Sequence, residues 1–113
     1  MTSDFEMYAG DDKVIEVAVL DKTGVAVSIA GATIRWKAVR SFGKTVAISK
    51  ATGGSGISIT DAANGEFQIT LTPANTASLK GSYFHEAEVE FGDGKKSTVL
   101  QGRMVVNPIL IST

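Results

Sequence analysis

The chain has 113 residues, 43% of them hydrophobic, with 11 basic and 12 acidic side chains and a formal net charge of −1. That length is one domain, residues 1–113, which buries roughly two-thirds of its unfolded surface and needs neither disulfide nor metal to fold. Near-neutrality gives a nucleic-acid partner no electrostatic support. Neither terminus carries an apolar run long enough for a membrane span or a signal peptide, so neither is expected. The absence of cysteine fits a reducing compartment.

In chain order, Asp4–Tyr8 is a short alternating start. Val14–Leu20 reads as a strand with Ile15, Val17 and Val19 on one face. Asp21-Lys22-Thr23-Gly24 is a turn, because aspartate suits its first position and glycine supplies positive φ at its last. Val25–Ile29 reads as a short strand closed by Gly31. Thr33–Arg40 alternates, with Ile34, Trp36 and Ala38 on one side and Arg35 and Lys37 on the other. Ser41–Lys44 turns the chain into a strand at Thr45–Ser49, and Lys50–Gly56 is a glycine-rich loop. Asn64-Gly65 joins Ile57–Ile59 to Glu66–Thr72 as a hairpin. For Ile57 and Ile59 to share a face with Phe67, Ile69 and Leu71, that hairpin needs a bulge.

One helical turn interrupts the strands. Thr72 caps it, Pro73 suits its first position and Gly81 its exit, so residues 73–80 form a crossover between sheets. Ser82–Phe91 and Lys96–Val106 then form the last hairpin. A two-residue turn at Asp93-Gly94 pairs Tyr83 with Met104, His85 with Gly102 and Ala87 with Leu100 on the inner face. On the outer face it pairs Phe84 with Arg103, Glu86 with Gln101 and Glu90 with Ser97. Period-two alternation with turns every eight to twelve residues predicts an all-β, immunoglobulin-like β-sandwich of two antiparallel sheets without a disulfide. Its core is expected to hold Ile15, Val17, Val19, Ile34, Trp36, Phe67, Ile69, Leu71, Tyr83, Ala87 and Met104.

The clusters of charged and reactive side chains have plainer readings than chemistry. Glu86, Glu88 and Glu90 fall on the outer face opposite Arg35 and Lys37, as a solvated charge ladder does. His85, the sole histidine, sits two residues after Tyr83 and opposite Gly102, where a buried, hydrogen-bonded core imidazole fits better than a catalytic base. Asp11, Asp12, Asp61 and Asp93 are turn aspartates without calcium-loop spacing. Gly53-Gly54-Ser55-Gly56 lacks the lysine and strand-to-helix context of a phosphate loop. Trp36 alternates inward, which makes it core rather than a sugar platform. No enzyme, cofactor or metal site is therefore expected. Phe84 beside Arg103 is a candidate cation–π pair on an exposed sheet face, and such a face favours docking.

Leu79-Lys80-Gly81-Ser82-Tyr83 looks like a tyrosine corner. The wider order comprises Asp21-x-x-Gly24, Ile29-Ala30-Gly31-Ala32-Thr33-Ile34, Asn64-Gly65-Glu66-Phe67, Leu71-Thr72-Pro73-Ala74-Asn75-Thr76, Phe91-x-Asp93-Gly94-Lys95 and Gly102-Arg103-Met104-Val105-Val106. It resembles the immunoglobulin-like N-terminal domain of phage baseplate upper proteins and related tail-fibre proteins. The resemblance implies a non-catalytic structural module in a virion tail or baseplate, assembled in the bacterial cytoplasm. The implied partners are other tail proteins and further copies of the chain, with no nucleic acid and no membrane. In that family the domain leads into a long C-terminal part, whereas this sequence ends at Thr113, so a free-standing adaptor or decoration protein is a second form to expect. The expected contact residues are Phe84, Arg103 and Phe42, with Ile109, Leu110 and Ile111 of the apolar tail either continuing the last strand onto the core or adding to a neighbour. The alternative function is a carbohydrate- or surface-binding module, which calls for gathered aromatics, for example Tyr8 meeting Phe42.

Overall fold

Among the described residues, eight strands and one helical turn form in chain order. They are β1 Phe5–Tyr8, β2 Lys13–Ala18, β3 Thr33–Val39, β4 Val46–Ala51, β5 Ile57–Asp61, β6 Glu66–Leu71, α1 Pro73–Thr76, β7 Gly81–Glu90 and β8 Lys96–Asn107. The computed structural model describes residues 4–41, 43, 45–54 and 56–109. A five-stranded sheet, β1-β8-β7-β3-β4, packs on a three-stranded sheet, β2-β6-β5. All pairings are antiparallel except β1 with β8. That parallel pair is accessible because nearly the whole chain separates its two strands, far more than the crossover a parallel pair needs.

Alternation fixes the layers. In β3, Ile34, Trp36 and Ala38 are fully buried while Arg35 and Lys37 are exposed. In β7, Tyr83, His85, Ala87 and Val89 are buried. Facing them from the other sheet are Val17, Phe67, Ile69 and Leu71, with Ile15 partly buried against the same core. Every expected core residue but Ile15 thus lies in the core, and Ile15 packs against it. Fully burying side chains of this kind contributes about 1.5–3 kcal/mol each.

The connections are where the sequence reading needs correction. Residues 25–29 form no strand, and only an isolated bridge joins Leu20 to Ala26. The segment bonds to two different elements in succession, Val27 N–H to Val19 O and Ile29 N–H to Ala62 O, so no ladder develops. Ile29 is nevertheless fully buried. Beneath this crossing lies Gly65, at φ +69°, where an added Cβ would sit 2.3 Å from the Val27 carbonyl oxygen. Lys50 and Ala51 belong to β4 rather than to the following loop, and the stem of the Lys50 side chain lies over Gly56.

The β5–β6 hairpin carries the expected bulge, with a shift between Ile59 and Asp61. The last hairpin differs at its tip. Phe91 N–H donates to Lys95 O at 2.8 Å and Gly94 N–H to Phe91 O at 2.9 Å, which makes a three-residue loop with Gly94 at φ +89°. Glu90 therefore pairs with Lys96, not Ser97. A register shift next to Ala87 restores the expected inner pairs of Tyr83, His85 and Ala87 and the outer pairs of Phe84 and Glu86. The crossover helix is shorter than expected, one turn over Pro73–Thr76, with Asn75 Oδ1 accepting from Thr72 N–H at 2.7 Å.

Candidate docking surface

The outer face of the five-stranded sheet carries Phe84 and Arg103 together with the charged residues Arg35, Lys37, Glu86, Glu88 and Glu90. Four strands meet there in transverse rows fixed by the register. The first row runs Val46, Val39, Phe84 and Arg103, and the second runs Lys37, Glu86 and Gln101. The next holds Arg35 opposite Glu88, and the last holds Thr33 opposite Glu90. The face is thus apolar at the end where β7 begins and charged at the other. Val105, beside Ser82, extends the apolar end toward β1.

Within this face, the Arg103 guanidinium carbon lies 5.5 Å from the Phe84 ring centroid, so the expected cation–π pair is present. The Arg103 backbone N–H donates to Asp4 Oδ1 at 2.9 Å. Gln101 Nε2 donates to Glu86 Oε1 at 2.8 Å. Arg35 Nη1 bridges the Glu row, 3.0 Å from Glu90 Oε1 and 3.7 Å from Glu88 Oε1. These groups are a third to a half exposed, so each pair contributes only a few tenths of a kcal/mol, roughly, to stability. Lys37, also exposed, has no ion-pair partner within 4.0 Å among the described residues.

His85 lies on the opposite side of the same strand, 1% exposed. The Trp36 indole N–H donates to its Nδ1 at 3.1 Å, and the Phe5 ring meets it edge-on at 5.1 Å. An indole nitrogen is a donor only, so Nδ1 acts as the acceptor and the ring is neutral in this arrangement. It is the buried, hydrogen-bonded core histidine expected from its place opposite Gly102. The Tyr83 hydroxyl accepts from Arg40 Nη2 at 3.2 Å, and that guanidinium also donates to Lys80 O at 2.8 Å. The arginine so clamps the crossover to the start of β7.

Of the apolar tail, Ile109 is among the described residues. β8 ends at Asn107 and is followed by Pro108, which has no N–H to extend a ladder. Ile109 is 42% exposed and reaches Gly10, where an added Cβ would lie 3.8 Å from its Cδ1. It lines a groove of about 950 Å³ together with Ala9, Pro73, Ala77, Leu79 and Pro108. Leu110 and Ile111 lie outside the described residues, as does Phe42. Tyr8 is on the outer face beside Asn107 and is 56% exposed. The structure brings Phe84 and Arg103 together on one face and sets Ile109 apart at the sheet end. Sequence reading missed Val39 and Val46 as neighbours of Phe84. The β3–β7 register sets Val39 beside Phe84, and the β3–β4 register adds Val46 to the row across a shift between Ala38 and Val39 that the sequence does not mark.

The sequence matches no protein-family model and none of the curated proteins with which it was compared. Among solved structures, the chain is similar to CopC from Methylosinus trichosporium OB3b, with 17% identity over 99% of this chain and 91% of that one and a TM-score of 0.55. It is also similar to Tim-1, with 14% identity over 100% of this chain and 98% of that one and a TM-score of 0.47. The likeness to CopC establishes the fold, an immunoglobulin-like β-sandwich.

Proposed function

We propose that this chain is a non-catalytic structural module of a phage or prophage tail or baseplate, acting by protein–protein docking. The reading is supported by the resemblance running from Asp21 to Val106, and above all by one observation on the surface. An apolar row of exposed Val46 and half-buried Val39 and Phe84 lies on a sheet face and is flanked by Arg103. Aromatic and arginine side chains beside a charged surface are what protein interfaces concentrate. The chemistry this face offers is burial of apolar area with charge pairing around it. No bond is made or broken in that role, and no cofactor takes part.

The test is mass spectrometry on particles purified after prophage induction of the source strain. The expected result is this chain at fixed stoichiometry with tail proteins. Tail particles that lack it would overturn the reading and turn attention to glycan arrays and the carbohydrate-binding alternative.

A further inference from the structure

The outer face of the five-stranded sheet is complementary to itself. β3 presents Arg35 and Lys37, and its neighbour β7 presents Glu86 and Glu88 in the same rows, with Val39 beside Phe84 one row further on. A two-fold axis laid parallel to the strands, between β3 and β7, sets β3 of one copy over β7 of the other and leaves every row at its own height. Lys37 then faces Glu86 of a second copy, Arg35 faces Glu88, and Val39 faces Phe84. Each contact occurs twice, as an isologous interface requires.

From this complementarity we propose that the partner of the face is a second copy of this chain, docked face to face in a symmetric dimer. The inference rests on the docking reading above and names its partner. Three features favour a copy over an unrelated protein. The charge pattern supplies its own complement, because the cationic pair Arg35 and Lys37 lies beside Glu88 and Glu86 in the same rows, with Glu90 one row beyond, opposite Thr33. Lys37, without an ion pair among the described residues, gains Glu86. The apolar rows meet each other at one end and exclude water there.

Geometry also sets the strength. Two right-twisted sheets pack at about −30°, so the fit is closest where the central strands of the two copies cross and falls off toward the ends of the strands. Only β4, β3, β7 and β8 overlap, because β1 overhangs the edge. Four strands about 4.8 Å apart and about seven residues long cover on the order of 500 Å² per copy. That reaches the roughly 1,000 Å² total at which specific interfaces begin, so the dimer is weak and depends on concentration.

The experiment is light scattering and sedimentation of the full chain from about 5 µM to about 0.5 mM, the range in which a weak complex assembles. The expected mass rises from 11.8 kDa toward twice that value. Lys37→Glu places like charges opposite each other and should weaken the dimer about tenfold or more. The exchange Lys37→Glu with Glu86→Lys in one chain restores the pairing and should return affinity to within about threefold of wild type. Phe84→Glu should abolish the dimer, with circular dichroism as the check on folding. If that variant unfolds, the Lys37 series decides. A wild type that stays monomeric across the range overturns the dimer, and so does a dimer indifferent to Lys37→Glu. Either result leaves the docking reading to the particle measurement, which does not depend on self-association. Absence from particles would refute the tail role and leave the dimer standing.

Discussion

Replacing Trp36 with phenylalanine tests how the interior is held together. The Trp36 indole N–H donates to His85 Nδ1 at 3.1 Å, with Trp36 fully buried and His85 1% exposed. Trp36→Phe keeps an aromatic ring but deletes the donor and part of the ring. The vacated acceptor costs about 1–3 kcal/mol. Lost volume brings the total toward the lower end of the roughly 3–5 kcal/mol expected for Trp36→Ala. His85→Leu leaves the indole N–H without its acceptor and carries a similar polar penalty. Trp36→Phe with His85→Leu removes both partners, so the double variant should be more stable than the sum of the singles by about 1–3 kcal/mol. Urea denaturation followed by far-UV circular dichroism reads this directly. With a slope of about 1–3 kcal/mol per molar urea, a coupling of that size displaces the midpoint by about 1 M from the additive value. Additivity within about 0.5 kcal/mol would refute the argument that this bond organises the core.

Two further predictions concern the turns. Gly65→Ala should be far costlier than Gly94→Ala, although both glycines have positive φ, +69° and +89°. At Gly65 an added Cβ meets the backbone oxygens of Val27 and Val19 at 2.3 and 2.9 Å, whereas at Gly94 nothing lies within 4 Å. Gly94→Ala should cost about 1 kcal/mol from backbone strain alone and Gly65→Ala well over 2 kcal/mol, and equal urea midpoints would contradict this. Asp21 offers a pH test. Hydrogen bonds from the Thr23 hydroxyl, then from the Val25 and Thr23 backbone N–H groups, hold its carboxyl below the usual value of 3.8. A folded value below the unfolded one means that the turn's contribution is present above the unfolded value and lost as pH falls through the folded one. The NMR titration midpoint of Asp21 should therefore fall below 3.8, and Asp21→Asn should remove the acid loosening of residues 21–25. A midpoint at or above that value would contradict the turn geometry.

Period-two alternation by itself determined the strands and the inward set from Ile15 to Met104, because a strand has only two faces and the apolar residues occupy one of them. It also determined that Phe84 and Arg103 are outer-face neighbours, since counting outward from a hairpin tip is local arithmetic. That arithmetic came out right in the middle of the hairpin for a compensating reason. The tip is one residue longer than Asp93-Gly94 suggested, and a shift beside Ala87 absorbs the extra residue. Charge alternation likewise placed the row of Glu86, Glu88 and Glu90 on the outer face with Arg35 and Lys37, and the β3–β7 register then paired Glu86 with Lys37 and Glu88 with Arg35 and set Glu90 opposite Thr33.

Only the tertiary structure decided what meets across distant sequence. The parallel docking of β1 on β8, the gathering of Val46 and Val39 beside Phe84, and the groove joining Ile109 to Ala9 and α1 all depend on it. The same holds for residues 25–29, whose alternation suits a strand but whose backbone is claimed by Val19 and then Ala62. A local pattern records which side of an element is apolar, whereas the identity of its neighbour follows from long-range packing and from bulges that shift register by one residue. The outer face became legible as a surface only when four strands from separate parts of the chain were laid side by side.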